Sequence, residues 1–343
     1  MQIRADLRVA PLESSHAPRY TALSYTWDEP IQPSAPLTTL RGLYHHARAW
    51  YWRYCRPSHE TIVINDLPFP AARNLATALR HLRDGKEPID FWVDAICINQ
   101  EDEAEKSSQV RMMPHIYSQA NKTVIWLGTR ADGSDEAMDF IHSASSLRTD
   151  DPNIDFDKLV PSRALTALFS RAWWSRVWVI QEAILSQQAV VVCGEKVVPL
   201  DAFETLQQKA SELRETMQSA ARSGARASSQ APGFIPPFMS FTEILSEMGH
   251  LRSQCSEERT TWDAAYCLAA LVMQTSRFQC TLPRDKVYGL FGLFPEVQRV
   301  IQPSYGPEKT DVDVFKDVTV FLTRWTNRID HILFWKKLET DRV

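Results

Sequence analysis

Four short segments of almost unbroken apolar character punctuate the first two hundred residues: Tyr20 to Tyr25, Phe91-Trp-Val-Asp94, Thr123-Val-Ile-Trp-Leu127 and Ala189-Val-Val-Val-Cys193. Each is too short for a helix and rich in β-branched or aromatic residues, which marks strands. Between them, apolar residues recur at helical spacing. Leu75, Leu79 and Leu82 precede Gly85; Val110, Met113, Ile116, Tyr117 and Ala120 form a second stripe; Trp174, Val177, Trp178, Gln181 and Leu185 form a third. A further helix is expected over 134–143. Strands alternating with helices imply βαβ units, and strands with no polar face need cover on both sides. The expected fold is therefore α/β, a parallel sheet flanked by helices. Thr61-Ile-Val-Ile64, closed by Asn65-Asp66, reads as one more strand of that sheet and a turn.

After about Leu200 the pattern turns helical, over 201–216, 241–251 and 261–275. Gln218 to Pro237, rich in Ser, Ala, Gly, Arg and Pro, reads as a mobile linker. Pro30 to Glu60 has no clean period and reads as an inserted loop. The expected organisation is an α/β domain over 1–200 with this insertion at 30–60, then a mostly helical C-terminal region over 201–343.

The 343 residues, 44% hydrophobic and 23% charged, have a globular composition. A net charge of -4 without a basic cluster argues against nucleic acid and acidic membrane surfaces as partners. No apolar run approaches the roughly 18 residues of a membrane span, and the N-terminus lacks a secretory pattern. The six cysteines are scattered without a CxxC pair, which suits reduced thiols in a cytoplasmic protein. His45, His46, Cys55 and His59 match no standard zinc spacing, so no metal is expected. Neither a P-loop nor a GxGxxG sequence occurs. Cys97 with His115 has no local signature of a thiol nucleophile, and a small apolar filler is the plainer reading.

Three blocks carry a resemblance. They are Tyr20-Thr-Ala-Leu-Ser-Tyr-Thr-Trp27; Phe91-Trp-Val-Asp-Ala-Ile-Cys-Ile-Asn-Gln100, continuing to Trp126-Leu127-Gly128; and Arg171-Ala-Trp-Trp-Ser-Arg-Val-Trp-Val-Ile-Gln-Glu182. Together they resemble the heterokaryon-incompatibility (HET) domain of filamentous fungi, over roughly 21–194. Pro283-Arg-Asp-Lys-Val-Tyr-Gly-Leu-Phe-Gly292 with Pro303-Ser-Tyr305 resembles a segment that often follows such domains. Asp28 and Glu29 stand where the family usually has a glycine. The resemblance implies a programmed cell-death module, working by self-association or with another incompatibility protein. It also implies a distant likeness to Toll/interleukin-receptor (TIR) domains, which are flavodoxin-like and many of which hydrolyse NAD with a glutamate. By that analogy the corresponding residue is Glu182, and NAD is a substrate rather than a bound cofactor.

The residue chemistry leaves two readings open. Glu182 lies one helical turn after Trp178, and an indole beside a carboxyl raises its pKa. A single carboxylate suits cleavage of the nicotinamide–ribose bond, because the leaving group is already cationic and needs no general acid. Alternatively Glu182 is structural, paired with Arg176 or Arg171. Asp94 ends a strand, where α/β sheets bind ligands. Asn99 and Gln100 follow on the same loop, to contact ribose or phosphate or merely to cap the next helix. Ser24, Tyr25 and Trp27 follow the first strand, where an aromatic can stack on a base or pack in the core. Trp173, Trp174 and Trp178 are expected mainly in the core. The enzyme reading assigns catalysis to Glu182 and substrate binding to Ser24, Tyr25, Trp27, Asp94, Asn99, Gln100, Arg176 and Trp178. The rival reading is a non-catalytic signalling or adaptor domain.

Overall fold

The computed structural model describes residues 2–12, 18–27, 59–143, 160–209, 212 and 260–328. The 30–60 insertion (apart from His59 and Glu60), Asp28 and Glu29, the 218–237 linker and the 241–251 helix lie outside the described residues. So does most of the 201–216 helix beyond its first turns, since helical residues run over 200–209.

The strands are β1 (Arg4–Ala5), β2 (Thr21–Ser24), β3 (His59–Ile64), β4 (Leu67–Ala72), β5 (Phe91–Trp92), β6 (Lys122–Trp126), β7 (Ala189–Cys193) and β8 (Lys196–Pro199). The helices that matter here are α1 (Arg73–Leu82), α2 (Asp94–Cys97), α3 (Glu103–Gln119), α4 (Ser134–His142), α5 (Ser162–Phe169) and α6 (Val179–Ile184), followed by α7 (Thr261–Gln274), α8 (Asp285–Phe291), α9 (Pro295–Gln298) and α10 (Asp311–Thr326). Asp102 caps α3, its carboxylate accepting from the Ala104 and Glu105 N–H groups, so part of the acidic run after Gln100 serves a helix start.

The main sheet has the order β5-β2-β6-β7-β8. Its first four strands are parallel, with Ala22 opposite Trp92 and Thr123, and Ile125 opposite Val191. β8 returns antiparallel as an edge. Alternate residues enter different cores, as the pleat requires. Ala22, Ile125, Val191 and Cys193 pack with α3 to α6 and the C-terminal helices. Leu23, Val124, Trp126 and Val192 pack with α1 and the β3–β4 hairpin. Both faces are covered, which explains strands without a polar side.

One strand is not where the sequence pattern put it. Ile64 belongs to a separate three-stranded sheet, β1-β3-β4, rather than to the main sheet. Asn65 and Asp66 both have positive φ, 50° and 61°, the geometry of a two-residue turn that sends the chain straight back as β4. A hairpin so made packs as a unit over α1 and the main sheet. β4 carries Pro68 and Pro70, tolerated because it is an edge.

The helical C-terminal segment adds to the larger core directly: Leu268, Leu271, Val287, Leu290, Phe291 and Phe321 are buried with residues of α3, α5 and α6.

Candidate functional site

The strand order reverses at β2, since the chain passes from β2 to β5 on one side and then to β6 on the other. At such a point the segments leaving adjacent carboxyl ends diverge, and ligands of open α/β sheets bind there. The third block, Arg171 to Glu182, lies across these ends. Arg171 donates to the Leu127 carbonyl at 2.8 Å and the Thr129 carbonyl at 3.0 Å, closing the end of β6. Gly128 between them has φ +109° and the guanidinium passes close, so a side chain there meets both strain and crowding. Trp173 and Trp174 are fully buried, edge to face at 4.9 Å, and anchor the segment as a 3-10 turn over Ala172–Ser175. The helix expected from Trp174 onward is thus shorter than its apolar spacing implied. Arg176 is extended and pairs through its backbone neighbours with Gln279, and only then does α6 begin.

Ser24, last residue of β2, shares the face of Ala22 and so points at α6. Its hydroxyl accepts from the Trp173 indole N–H at 2.8 Å and donates to the Glu182 carboxylate. Glu182 is only 3% exposed. Burial pushes its pKa up, to about 7, and Asp94 adds to the rise; Arg176 and hydrogen bonds from Ser24 and Tyr117 oppose it. Arg176 donates to the Tyr25 carbonyl and acts through space on both carboxyl groups.

Asp94 begins α2 and is half-buried. Its carboxylate accepts from the Trp27 indole at 2.8 Å and the Ala95 N–H at 2.7 Å. Desolvation raises its pKa, against the pull of Arg176 and Trp27. The Tyr25 hydroxyl is buried against the Asp94 carboxyl, which helps hold that phenol neutral, at a geometry looser than an ordinary hydrogen bond. A buried hydroxyl held only loosely between two carboxyl groups and an arginine is a place where a polar ligand atom gains a donor. Trp27 is 40% exposed, its indole N–H fixed and its ring open to solvent.

Ser24, Tyr25, Trp27, Asp94, Arg176 and Glu182 therefore converge. Asn99 and Gln100 do not reach the centre. Asn99 is exposed and makes local loop bonds with Glu101 and Glu105, while Gln100 donates to the Asp94 carbonyl at 3.2 Å and braces that turn. The Trp178 indole turns to Asp285 and packs against Gly289. Burial pushes the Cys97 thiol up, which disfavours a thiolate there.

Three contributors escaped the sequence reading. Trp173 was assigned only to packing, but its N–H fixes Ser24. Tyr117 was one more member of an apolar stripe, but it touches Glu182. Buried Asn74, at the start of α1, donates to the Thr26 carbonyl at 2.8 Å and accepts from the Trp126 indole at 3.0 Å, tying the loop after β2 to β6. A polar residue inside an apolar helical stripe was the signal.

Residues 20–182 match the family model described as "Heterokaryon incompatibility protein (HET)". Over those residues the chain is similar to the HET domain. Among curated proteins it is similar to "Heterokaryon incompatibility protein 6, OR allele" of Neurospora crassa, 27% identical over 346 aligned positions covering 88% of this chain. The match spans 47% of that relative, about half its length. No solved structure matches the chain. The matched HET region opens at Tyr20 and ends at Glu182, so the Ser24–Glu182 contact joins its first residues to its last.

Proposed function

We propose that this HET domain executes a fungal incompatibility reaction, killing or arresting cells after non-self fusion, and that it does so by cleaving NAD. The reading of the fold as TIR-like draws on the order of the parallel strands, which run second, first, third and fourth across the sheet, as in flavodoxin-like folds. The observation that carries the chemistry is Glu182, a carboxyl held by Ser24 at the strand-order reversal with Asp94, Arg176 and the loosely held Tyr25 hydroxyl around it.

In this mechanism the bond between nicotinamide nitrogen and the ribose anomeric carbon breaks, and its electron pair leaves with neutral nicotinamide. Ionised Glu182 stabilises the oxocarbenium-like transition state. Water adds to the anomeric carbon, releasing one proton and ADP-ribose. Asp94 and Tyr25 position ribose hydroxyls, Arg176 offsets the charge of the paired carboxylates, and the open face of Trp27 stacks on a base.

A second reading is favoured by the burial of Glu182: a carboxyl 3% exposed and already bonded can simply lock α6 to β2. The domain then acts by self-association or by binding another death protein. One experiment separates the two. Purified protein is incubated with NAD and nicotinamide release followed, beside Glu182→Gln checked for native melting. We expect release by the parent and none by the variant. Absence of release from parent protein that kills cells, or full killing by a folded Glu182→Gln, replaces the enzyme reading with the association reading.

A further inference from the structure

The HET family match stops at Glu182, in the middle of α6. Part of what holds this half-helix in place comes from beyond the match. The Val177 N–H donates to the Gln279 carbonyl at 3.0 Å and the Gln279 N–H to the Ser175 carbonyl at 2.5 Å, a clasp on either side of Arg176. Lys286, in α8, donates to the Ser276 carbonyl at 2.8 Å and to that of Phe278, so the clasp is itself anchored to α8. Asp285 accepts from the Tyr305 hydroxyl at 2.7 Å, and the Trp178 indole just before α6 lies against the same carboxyl.

Two glycines complete the contact. A Cβ at Gly289 meets Val177 at 3.1 Å and Trp178 at 3.4 Å. A Cβ at Gly292 meets the Gln181 side chain at 2.4 Å and Pro114 of α3 at 2.8 Å. Neither glycine has positive φ, so the turn does not demand them. They serve close approach. Within the motif Pro283-Arg-Asp-Lys-Val-Tyr-Gly-Leu-Phe-Gly292, Asp285, Gly289 and Gly292 therefore face the Arg176–Glu182 segment, while Arg284 pairs with Asp311 and Lys286 holds the Ser276–Phe278 turn.

From this we propose that Asp285, Gly289 and Gly292 are positioning residues for the Glu182 site, so that its working unit includes the 275–305 segment and not the family-matched region alone. None of the three touches the site. They act through α6, fixing how deep Glu182 sits below Ser24 and where Arg176 points. As a claim about catalysis this rests on the proposed NAD cleavage; as a claim about the Glu182 environment it does not.

The test uses the full chain and a readout independent of turnover. Infrared pH titration, with Glu182→Gln subtracted, reports the protonation of the Glu182 carboxyl itself. Gly292→Ala is compared with Leu322→Ala, a buried change on α10 that destabilises without touching α6. We expect Gly292→Ala to lift α6, admit water and move the Glu182 titration at least about one pH unit toward the ordinary carboxylate range. Leu322→Ala leaves the titration in place at a similar loss of melting temperature. For nicotinamide release, kcat of Gly292→Ala falls roughly tenfold or more while KM stays near the parent value. Gly289→Ala, a milder intrusion, replaces Gly292→Ala if that variant does not fold, and Asp285→Asn, which retains an acceptor, restores what Asp285→Ala shifts. Equal titrations in parent, Gly292→Ala or its substitute, and Leu322→Ala overturn the positioning role. A shifted titration in a protein that never releases nicotinamide keeps the positioning role and removes the NAD reading.

Discussion

The Ser24 hydroxyl donates a hydrogen bond to the Glu182 carboxylate across 158 residues of sequence, joining the end of the first sheet strand to the helix that closes the HET region. Because the Trp173 indole donates to the same hydroxyl, the Ser24 proton is left with the carboxylate as its target. The short chain Trp173–Ser24–Glu182 thus orients the carboxyl from the strand side, while α6 carries it from the helix side.

Glu182 should make stability depend on pH. Its folded pKa of about 7 lies above the ordinary 4.5, so the folded protein holds a proton there that the unfolded chain has released. The sign follows: the favourable contribution is full below about pH 4.5 and is lost as pH rises through about 7. Permanently neutral Glu182→Gln should therefore be more stable than the parent at pH 8, by at most about 3 kcal/mol, and show no such gain at pH 4.5. Urea denaturation at the two pH values checks this. An equal difference at both means the carboxyl is not held as described.

Asn74 should prove costly to replace. Asn74→Leu keeps the branched shape but strands the Thr26 carbonyl and the Trp126 N–H, with an expected loss of about 2–4 kcal/mol in chemical denaturation. Asn74→Asp still accepts from Trp126 but turns a carboxylate on the Thr26 carbonyl. Its loss at pH 8 should shrink in acid, where the added carboxyl is protonated. A loss below about 0.5 kcal/mol for Asn74→Leu is the surface-substitution range and contradicts the described network.

The sequence was most legible where one local rule decided the outcome. The apolar strands gave a covered sheet because no polar face was present, and the ends of blocks one and three met because strand ends are where an α/β sheet leaves room. Asn65-Asp66 signalled a turn, but periodicity could not say that β3 would pair with β4 and β1 instead of joining β2 and β6. That choice belongs to tertiary packing. Trp178 illustrates the same limit. Its spacing to Glu182 is right for neighbours, yet the indole is drawn away by Asp285, more than 100 residues later. Asn74 showed only as a polar residue beside an apolar stripe, and its partners Thr26 and Trp126, on other elements, could not be read from it.

Ser24→Ala removes both halves of the strand-side link. The Trp173 N–H is left buried without its acceptor, an expected loss of about 1–3 kcal/mol. The hydrogen bond from Ser24 also holds the Glu182 pKa down, so its removal should raise that pKa further. Under the NAD-cleaving reading, less Glu182 is ionised at neutral pH and the rising limb of the activity profile moves to higher pH. Nicotinamide release measured from pH 6 to pH 9 checks the shift, and an unmoved limb in an active variant detaches Ser24 from the chemistry.

Asp94→Asn should push the same limb the other way. Asp94 raises the Glu182 pKa by like charge, and a neutral amide removes that repulsion. Glu182 then ionises more readily and the limb moves to lower pH. Asparagine retains an oxygen able to accept from the Trp27 indole or the Ala95 N–H, but it no longer offers charge to the Tyr25 hydroxyl or to a ribose hydroxyl. Activity should therefore fall less than with Glu182→Gln, with the loss mainly in KM, as expected of a group that positions substrate without bearing the developing charge. The two variants form a matched pair, one deleting a hydrogen bond to Glu182 and the other deleting a neighbouring charge. If Ser24→Ala and Asp94→Asn shift the profile in the same direction, Glu182 is not the group whose ionisation the profile reports, and the site must be assigned around a different residue.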